Sequence, residues 1–292
     1  MIYLDNAATT RTAPEVIEAM LPYFGEQYGN PSAIYSLGSA TKKAVNRAKR
    51  TIAAAIGAKQ EEIYFTSGGT EADNWALKCA AEAYQEKGKH LITTRIEHHA
   101  VLHTCAWLEK KGFEVTYLPV NEEGLVDLEE LKAAIRPDTI LISVMFANNE
   151  IGTIEPVAEI GAVAREHGIL FHTDAVQAFG QLPLDVEELR IDLLSASGHK
   201  VNGPKGIGFL YVRSGLKLGS FFHGGAQERN RRAGTENVPG IVGLEAAAER
   251  AMRLMEEKTK KVSGLRDYLI RKIEAEIRYC RLNGHRTKRL PG

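Results

Sequence analysis

The stretch ILFHTDAVQAFGQLPLDVEELRIDLLSASGHKVNGPKGIG, residues 169–208, decides the fold class. It contains two short, largely apolar runs, Ile169–Phe171 and Ile191–Leu194, and each is followed by polar residues. Such runs are typical of buried strands. The first leads to Asp174 and the second to Lys200, 26 positions later. Because reactive groups in open α/β sheets lie just past the carboxyl ends of strands, we expect both side chains to face one crevice.

A lysine and a carboxylate in one crevice suit pyridoxal phosphate (PLP). This cofactor needs a lysine for a Schiff base and an acidic partner at its pyridine nitrogen. Ser197 and His199 flank the glycine before Lys200, where they could hold a phosphate. The competing interpretation makes Asp174 a helix cap and Lys200 a solvated loop residue, since most charged side chains are simply exposed. The other strand ends decide between the two.

Polar turns follow five predicted strands. They are SGGTEADN (67–74), EHH (97–99), NNEIG (148–152), DAVQ (174–177) and SGHK (197–200). Strands alternating with helices predict an α/β fold with a mostly parallel sheet, and five such turns at one edge favour a functional site. The first turn precedes a helix expected from Trp75, so its free N–H groups and the Thr70 hydroxyl could bind an anion. Alternatively, Thr70 is a plain helix cap with Asp73 at the third helical position.

Composition narrows the classes of function. The chain has 292 residues, 44% hydrophobic and 25% charged, with 37 basic and 37 acidic side chains. This predicts a large globular domain and part of a second, without a charge imbalance suited to nucleic acid or a membrane surface. The apolar runs are too short to span a bilayer, and no signal-peptide core is evident, so we expect a cytoplasmic protein. Three cysteines, none in a CxxC pair, argue against a disulfide framework or structural zinc.

Other local patterns give expectations that the structure can test. Residues 1–10 read as a short strand and a polar turn, and two separate helical patterns start near Val238 and Val262. His99 and His103 are four apart on one predicted helical face, a possible metal pair. A third ligand with suitable spacing is not evident, so we expect no metal. We instead expect the imidazole of His98 or His99 to stack on a flat ring.

A set of motifs resembles a known family. The chain is similar throughout its 292 residues to cysteine desulfurases of the NifS/IscS type, in the class V aminotransferase group. The motifs that carry this resemblance are YLDNAATT (3–10), YGNPSAIYSLG (28–38), FTSGGTEADN (65–74), EHHAVL (97–102), NNEIG (148–152), HTDAVQ (172–177), SGHKVNGPKGIG (197–208) and HGGAQERNRRAGTEN (223–237).

The resemblance implies a fold and an activity. The fold is the type I, aminotransferase-like fold of PLP-dependent transferases: a mostly parallel sheet with helices on both faces and a smaller α+β domain. We expect residues 15–257 to form the large PLP-binding domain, and residues 1–14 and 258–292 an incomplete small domain. The implied reaction converts L-cysteine to L-alanine and an enzyme persulfide, for iron–sulfur cluster assembly or tRNA thiolation. The implied partners are a second copy in a homodimer and a scaffold or sulfur-acceptor protein.

The resemblance also implies roles for individual residues. Lys200 would be the Schiff-base lysine, and Asp174 would pair with the pyridine nitrogen. His98 would stack on the ring and take part in proton transfer. The remaining cofactor contacts would be Gln177 at the ring hydroxyl, Asn149 at that hydroxyl or the substrate, Gly69, Thr70, Ser197 and His199 at the phosphate, and Thr235 at the phosphate of the neighbouring subunit.

The sequence departs from the family pattern after LNG (282–284). The family's nucleophilic cysteine, on a mobile loop, and its substrate-binding arginine lie downstream of that segment, and the sequence ends before both. Cys280 precedes LNG, so we expect that it is not the nucleophile. The chain then reads as an N-terminal part of a desulfurase that binds PLP but does not form persulfide. The alternatives are a selenocysteine lyase or another β-eliminating class V enzyme, and a non-catalytic protein that binds PLP or a partner.

Overall fold

The computed structural model describes residues 2–292, and within them seven strands form one sheet. The strands are β1 (Ile63–Thr66), β2 (His90–Thr94), β3 (Glu114–Leu118), β4 (Thr139–Ser143), β5 (Leu170–Asp174), β6 (Leu193–Ser197) and β7 (Gly208–Val212). The strand order across the sheet is β1-β7-β6-β5-β4-β2-β3. Strand β7 is antiparallel to both β1 and β6, while all other neighbouring pairs are parallel. The five strands followed by polar turns therefore end at one edge, as predicted.

Helices cover both faces of the sheet. They are α1 (Pro14–Met20), α2 (Ser36–Ala55), α3 (Gly69–Tyr84), α4 (His99–Glu109), α5 (Leu128–Ala134), α6 (Val157–Glu166), α7 (Gln227–Asn230) and α8 (Val238–Glu276). Side chains alternate between the faces of a strand, so neighbouring residues enter different cores. In β5, for example, Phe171 joins the core under α2, α6 and α8, whereas Leu170 joins the core under α3 and α4. Burial on both faces explains why these strands read as continuous apolar runs.

Two predicted boundaries are wrong. Helix α3 begins at Gly69 instead of Trp75, because residues 70–74 contain nothing that stops a helix. The two predicted C-terminal helices are one helix, α8, of 39 residues. Its Gly264 does not break it, since a glycine inside a helix costs only about 1 kcal/mol. Each helix of the described chain is too short or too polar to cross a membrane.

The predicted N-terminal strand is also absent from residues 2–10, where the backbone is irregular. Met1, which the prediction included, lies outside the described residues. The segment lies instead against the turn that carries Lys200. The backbone N–H and side-chain hydroxyl of Thr10 both donate to the carbonyl of His199, at 2.9 and 2.7 Å. Thr10 belongs to the predicted polar turn, while Ile2 and Leu4 of the predicted strand stay exposed and do not join the sheet.

Gly208 allows β7 to approach the turn after β1. A Cβ at this position would lie 2.4 Å from the Ala196 carbonyl oxygen and 2.8 Å from the Gly68 Cα.

We expect Gly208→Ala to lower the free energy of unfolding by about 1–3 kcal/mol, measured in urea, because the backbone at Ala196 and Gly68 must move to make room for the added methyl group. Gly219→Ala is the control, since a Cβ there meets nothing within 4 Å. Equal effects of the two substitutions would contradict this explanation.

Candidate active site

A cavity of about 550 Å³ lies at the carboxyl edge of the sheet. Nine of the ten residues singled out from the sequence line it. They are Gly69, Thr70, His98, Asn149, Asp174, Gln177, Ser197, His199 and Lys200. The tenth, Thr235, is exposed and lines a smaller cavity of about 190 Å³ beside Ser67 and Gly206. The parallel topology thus brings together residues that are up to 131 positions apart, from Gly69 to Lys200.

Lys200 ends a single 3₁₀ turn, Gly198–Lys200, that directly follows β6. Its Nζ donates hydrogen bonds to the carbonyls of Ala7 and Ala8, the latter at 3.0 Å. Burial lowers the pKa of the Lys200 amine, although the negative charges of Asp174 and Asp5 oppose this effect. A lower pKa increases the neutral fraction of the amine, which is the nucleophilic form.

Asp174 is the last residue of β5 and is only 7% exposed. One of its oxygens accepts the Val176 N–H at 2.9 Å. Burial raises the pKa of Asp174, while this hydrogen bond and the charges of His98 and Lys200 favour the anion. The Val176 N–H and the positive charge of Lys200 therefore favour the charged form of this carboxyl.

His98 is the N-cap of α4 at the rim of the cavity. Its Nδ1 accepts the Ala100 N–H at 3.1 Å, which fixes the ring and leaves Nε2 for other partners. The turn before it is anchored by Asn148, whose amide donates to the Ile96 carbonyl at 2.9 Å. Asn148 also accepts the N–H groups of Glu150 and Ile151, so it joins the turns after β2 and β4.

Gln177 and Asn149 have defined partners near the cavity. The Gln177 amide donates to the Ala7 carbonyl at 3.0 Å, and the Asn149 amide donates to Glu150 at 3.0 Å. The N-terminal segment contributes Asp5, Ala7 and Ala8 to the lining, which the sequence analysis missed. The sequence predicted only a polar turn at DNAATT. The small side chains of this motif were a missed signal, because they allow a backbone turn to lie close to a ligand.

The N-terminus of α3 is built for an anion. Gly68 precedes the helix with φ +148°, and a Cβ on Gly69 would lie 2.6 Å from the Val176 Cγ2. Glycine at these positions lets the helix end approach the cavity, where its N–H groups and dipole favour negative charge. Ser197 and His199 line the same cavity, and His199 Nδ1 lies 3.0 Å from the Thr9 hydroxyl. Together these groups form a cradle that fits a phosphate.

Acidic groups lie both in the cavity lining, at Asp73 and Asp174, and behind it, at Glu97. Glu97 is buried, and burial raises its pKa to about 8. Its Oε1 accepts the Thr94 hydroxyl at 2.8 Å and the Met145 N–H at 2.9 Å, which ties the His98 turn to the residues after β4. Asp73, His98 and Asp174 each offer an atom within 4.8 Å of the others, a donor set that a metal could also use.

The other histidine pair adopts a different arrangement. The rings of His99 and His103 stack on each other with centroids 5.1 Å apart, on the exposed side of α4. Neither ring lines the cavity, whereas His98 does. His98 is therefore the imidazole available to a flat ligand, and the absence of a metal stays a prediction.

Comparisons with known proteins agree with this geometry. The family model for class V aminotransferases matches residues 2–292. Cysteine desulfurase IscS of Methanosarcina thermophila is 61% identical over 289 residues, covering 99% of this chain and 71% of the relative. Cysteine desulfurase IscS of Clostridium botulinum strain Hall is 58% identical over 292 residues, covering 99% of this chain and 74% of the relative.

Solved structures show the same similarity. A NifS-like protein superimposes with a TM-score of 0.92 at 42% identity, covering 94% of this chain and 76% of that one. A structure described as SspA in complex with cysteine gives a TM-score of 0.83 at 47% identity, covering 85% and 72% of the two chains.

The fold and the cavity define an enzyme of the PLP-dependent, aminotransferase-like class. The chain belongs to the class V aminotransferase family. The sequence-based predictions of this fold, of a cysteine desulfurase of the NifS/IscS type and of PLP as its cofactor are confirmed.

The raised pKa of Glu97 predicts a pH-dependent stability. The folded-state pKa of about 8 lies above the ordinary 4.5, so Glu97 lowers stability progressively as pH rises from about 4.5 to 8. Glu97→Gln keeps an acceptor for Met145 and removes this loss. We expect its unfolding free energy relative to wild type to increase by a few kcal/mol between pH 5 and pH 8, since one pKa unit corresponds to about 1.4 kcal/mol. Urea titrations at both pH values measure this difference.

Glu122→Gln is the matched control because Glu122 is exposed. It should change the unfolding free energy equally little at the two pH values. An effect of Glu97→Gln that does not depend on pH would show that Glu97 is not held protonated by burial.

Proposed function

We propose that the cavity binds PLP and transfers the sulfur of L-cysteine to an acceptor thiol. The reaction converts L-cysteine and the thiol to L-alanine and a persulfide, so one C–S bond breaks and one S–S bond forms. The observation that carries this proposal is the convergence of an amine, a buried carboxylate and an anion cradle: Lys200, Asp174 and the N-terminus of α3 line one cavity.

The lining residues suit PLP by chemistry and position. When bound, PLP supplies an electron sink for the electrons at the Cα of an amino acid. Lys200 provides the amine that anchors the cofactor's aldehyde end, and its lowered pKa allows it to take and return a proton at the substrate Cα. Asp174 would hold the proton on the pyridine nitrogen, because the Val176 N–H and the positive charge of Lys200 favour its anionic form.

The other lining residues orient the cofactor. His98 lies against its ring and moves protons through Nε2, since Nδ1 is already engaged by Ala100. Gln177 would bind the ring hydroxyl, and Asn149 would bind that hydroxyl or the substrate. The phosphate is held by four residues that surround the cradle, namely Gly69, Thr70, Ser197 and His199. Holding the phosphate in this way would restrict the motion of the cofactor beside Lys200.

The thiol that receives sulfur is, in this proposal, none of the chain's three cysteines. Cys79 and Cys105 are buried, and burial raises the pKa of each thiol to about 12. A thiol with such a pKa forms little of the reactive thiolate. Cys280 is exposed, but it does not line the cavity, and its Sγ donates to the Ile277 carbonyl at 3.1 Å.

We also propose the assembly in which this reaction takes place. Residues 15–257 form the PLP-binding domain, and residues 1–14 and 258–292 belong to a small domain. A homodimer brings Thr235 to the phosphate of the neighbouring subunit, which fits its exposed position outside the main cavity. A cytoplasmic acceptor protein, such as an iron–sulfur scaffold, receives the sulfur. Large exposed apolar side chains support such contacts, among them Ile34, Tyr35, Phe222, Leu265 and Leu269.

The proposed reaction is tested by loading the protein with PLP and measuring alanine released from L-cysteine in the presence of dithiothreitol. Because dithiothreitol supplies the acceptor thiol that the three cysteines do not, we expect release from L-cysteine, and we expect Lys200→Ala to reduce it by at least about 100-fold, since a general acid–base is lost. Lys217→Ala, at an exposed lysine, is the control. Release from L-selenocysteine alone would identify a selenocysteine lyase, and cofactor binding without release from either substrate would favour the non-catalytic alternative.

A second substitution tests the assignment of the thiol. Cys280→Ser should leave the rate of alanine release with dithiothreitol unchanged, since its Sγ lies outside the cavity. A loss of tenfold or more in the folded, PLP-loaded protein would make Cys280 the sulfur acceptor.

A further inference from the structure

Asp73 is a buried acid that the proposed reaction does not yet use. It lies in the first turns of α3 and is 1% exposed. Among residues 2–292, neither of its carboxyl oxygens has a hydrogen-bond partner. Burying a polar group without such a partner is costly, and a buried carboxylate without a counter-charge costs more. The capping role that the sequence allowed for Asp73 is excluded, because α3 begins at Gly69 and Asp73 is its fifth residue.

The groups that face Asp73 come from three elements. Strand β5 contributes His172 and Asp174, strand β6 contributes Ser195, and the turn before α4 contributes Glu97 and His98. The Nε2 of His172 lies 3.6 Å from Asp73 Oδ1. This imidazole is neutral, because complete burial lowers its pKa to about 3. It therefore offers Asp73 no positive charge.

Both nitrogens of His172 are already engaged by hydroxyl groups. Nδ1 lies 2.8 Å from the Ser143 hydroxyl, and Nε2 lies 3.0 Å from the Ser195 hydroxyl. These contacts hold the ring in place beside Asp73 without using the Asp73 carboxyl. The His172 imidazole thus packs against one side of the Asp73 carboxyl without adding charge.

The surroundings of Asp174 favour its ionised form more than the surroundings of Asp73 do. Asp174 accepts the Val176 N–H and is near the positive charge of Lys200. Burial has the largest effect and raises the pKa of Asp73, the charge of Asp174 raises it further, and the nearby Ser195 hydroxyl partly opposes both. An oxygen of each of the two aspartates lies within 4.8 Å of the other. Two carboxyls this close in a buried site do not readily ionise together, so the better-solvated one takes the charge.

We propose that Asp73 is a positioning residue that remains a neutral carboxylic acid and so leaves the single negative charge of the buried pair on Asp174. Asp174 can then meet the pyridine nitrogen of PLP as an anion without a second anion beside it. This inference rests on the cofactor site proposed above, and Asp73 acts through Asp174. It also gives a reason for keeping an otherwise costly buried acid: a neutral acid fills the polar space beside Asp174 in the cavity wall without adding charge.

Infrared spectroscopy of the PLP-free protein at pH 7.5 tests the protonation state directly. A protonated acid has a carbonyl stretch that an ionised carboxylate lacks. We expect the band assigned to Asp73 to disappear in Asp73→Asn and to persist in Asp174→Asn. An unchanged acid region in Asp73→Asn, or loss of the band in Asp174→Asn alone, would overturn the proposal. Asp73→Ser provides the same comparison if Asp73→Asn does not fold.

Binding of PLP tests the consequence for Asp174. Asp73→Asn is neutral like the proposed acid, so we expect its dissociation constant for PLP, from absorbance titration, to stay within about threefold of wild type. Asp174→Asn removes the anion and should weaken binding at least tenfold. Binding by folded Asp73→Asn that is tenfold weaker or more would show that an ionised Asp73 is required. The infrared measurement uses PLP-free protein and does not depend on the cofactor site. If the wild-type protein fails to bind PLP, the proposed cofactor site is refuted, while the infrared measurement still tests whether Asp73 is protonated.

A metal would demand the opposite protonation state. If Asp73, His98 and Asp174 bound a metal ion, Asp73 would have to be ionised. Titration of the PLP-free protein with Zn²⁺ alone distinguishes the two cases. We expect wild type and Asp73→Asn to bind Zn²⁺ equally weakly. Tight binding by wild type that Asp73→Asn loses would overturn the proposal.

Discussion

The parallel alignment of five strands is the constraint on which the site depends. Strands β1, β2, β4, β5 and β6 all end at one edge, and each turn that follows carries polar residues into the same cavity. Antiparallel β7 maintains this arrangement, because it lies between β1 and β6 and leaves them parallel to each other. Gly208 in β7 and Gly69 at the start of α3 then allow backbone to pack closely beneath the phosphate cradle.

The site concentrates buried ionisable groups at this edge. The pKa of Lys200 is lowered by burial, and the pKa values of Asp174, Asp73 and Glu97 are raised by it. Buried ionisable groups lower the stability of the folded protein relative to apolar side chains of the same shape. Such groups are common at functional sites, where their chemistry is needed. A cofactor with a positive ring nitrogen and a negative phosphate would neutralise both ends of this arrangement. Cofactor binding and fold stability are therefore coupled in this family member.

The sequence predicted the sheet and most of the cavity because both depend on local signals. Apolar runs followed by polar turns identify strands and their carboxyl ends, and this pattern alone is enough to place Asp174 and Lys200 in one crevice. Less local features were missed. The N-terminal segment was read as a strand, but hydrogen bonds from Thr10 to His199, 189 positions away, hold it over the lysine. The start of α3 was placed too late because glycines and polar residues resemble a turn, and this concealed how deeply Asp73 is buried. Thr235 lies outside the main cavity, and its role depends on a second copy that the sequence of one chain does not position.

The central claim is that Lys200 anchors PLP in the cavity at the carboxyl edge of the sheet. Borohydride reduction of the PLP-loaded protein fixes the cofactor to the lysine that holds it, and peptide mass spectrometry then locates that lysine. Attachment confined to the peptide containing Lys200 is the predicted result. Attachment at another cavity-lining lysine, such as Lys205 or Lys258, or attachment spread over many lysines, would contradict it.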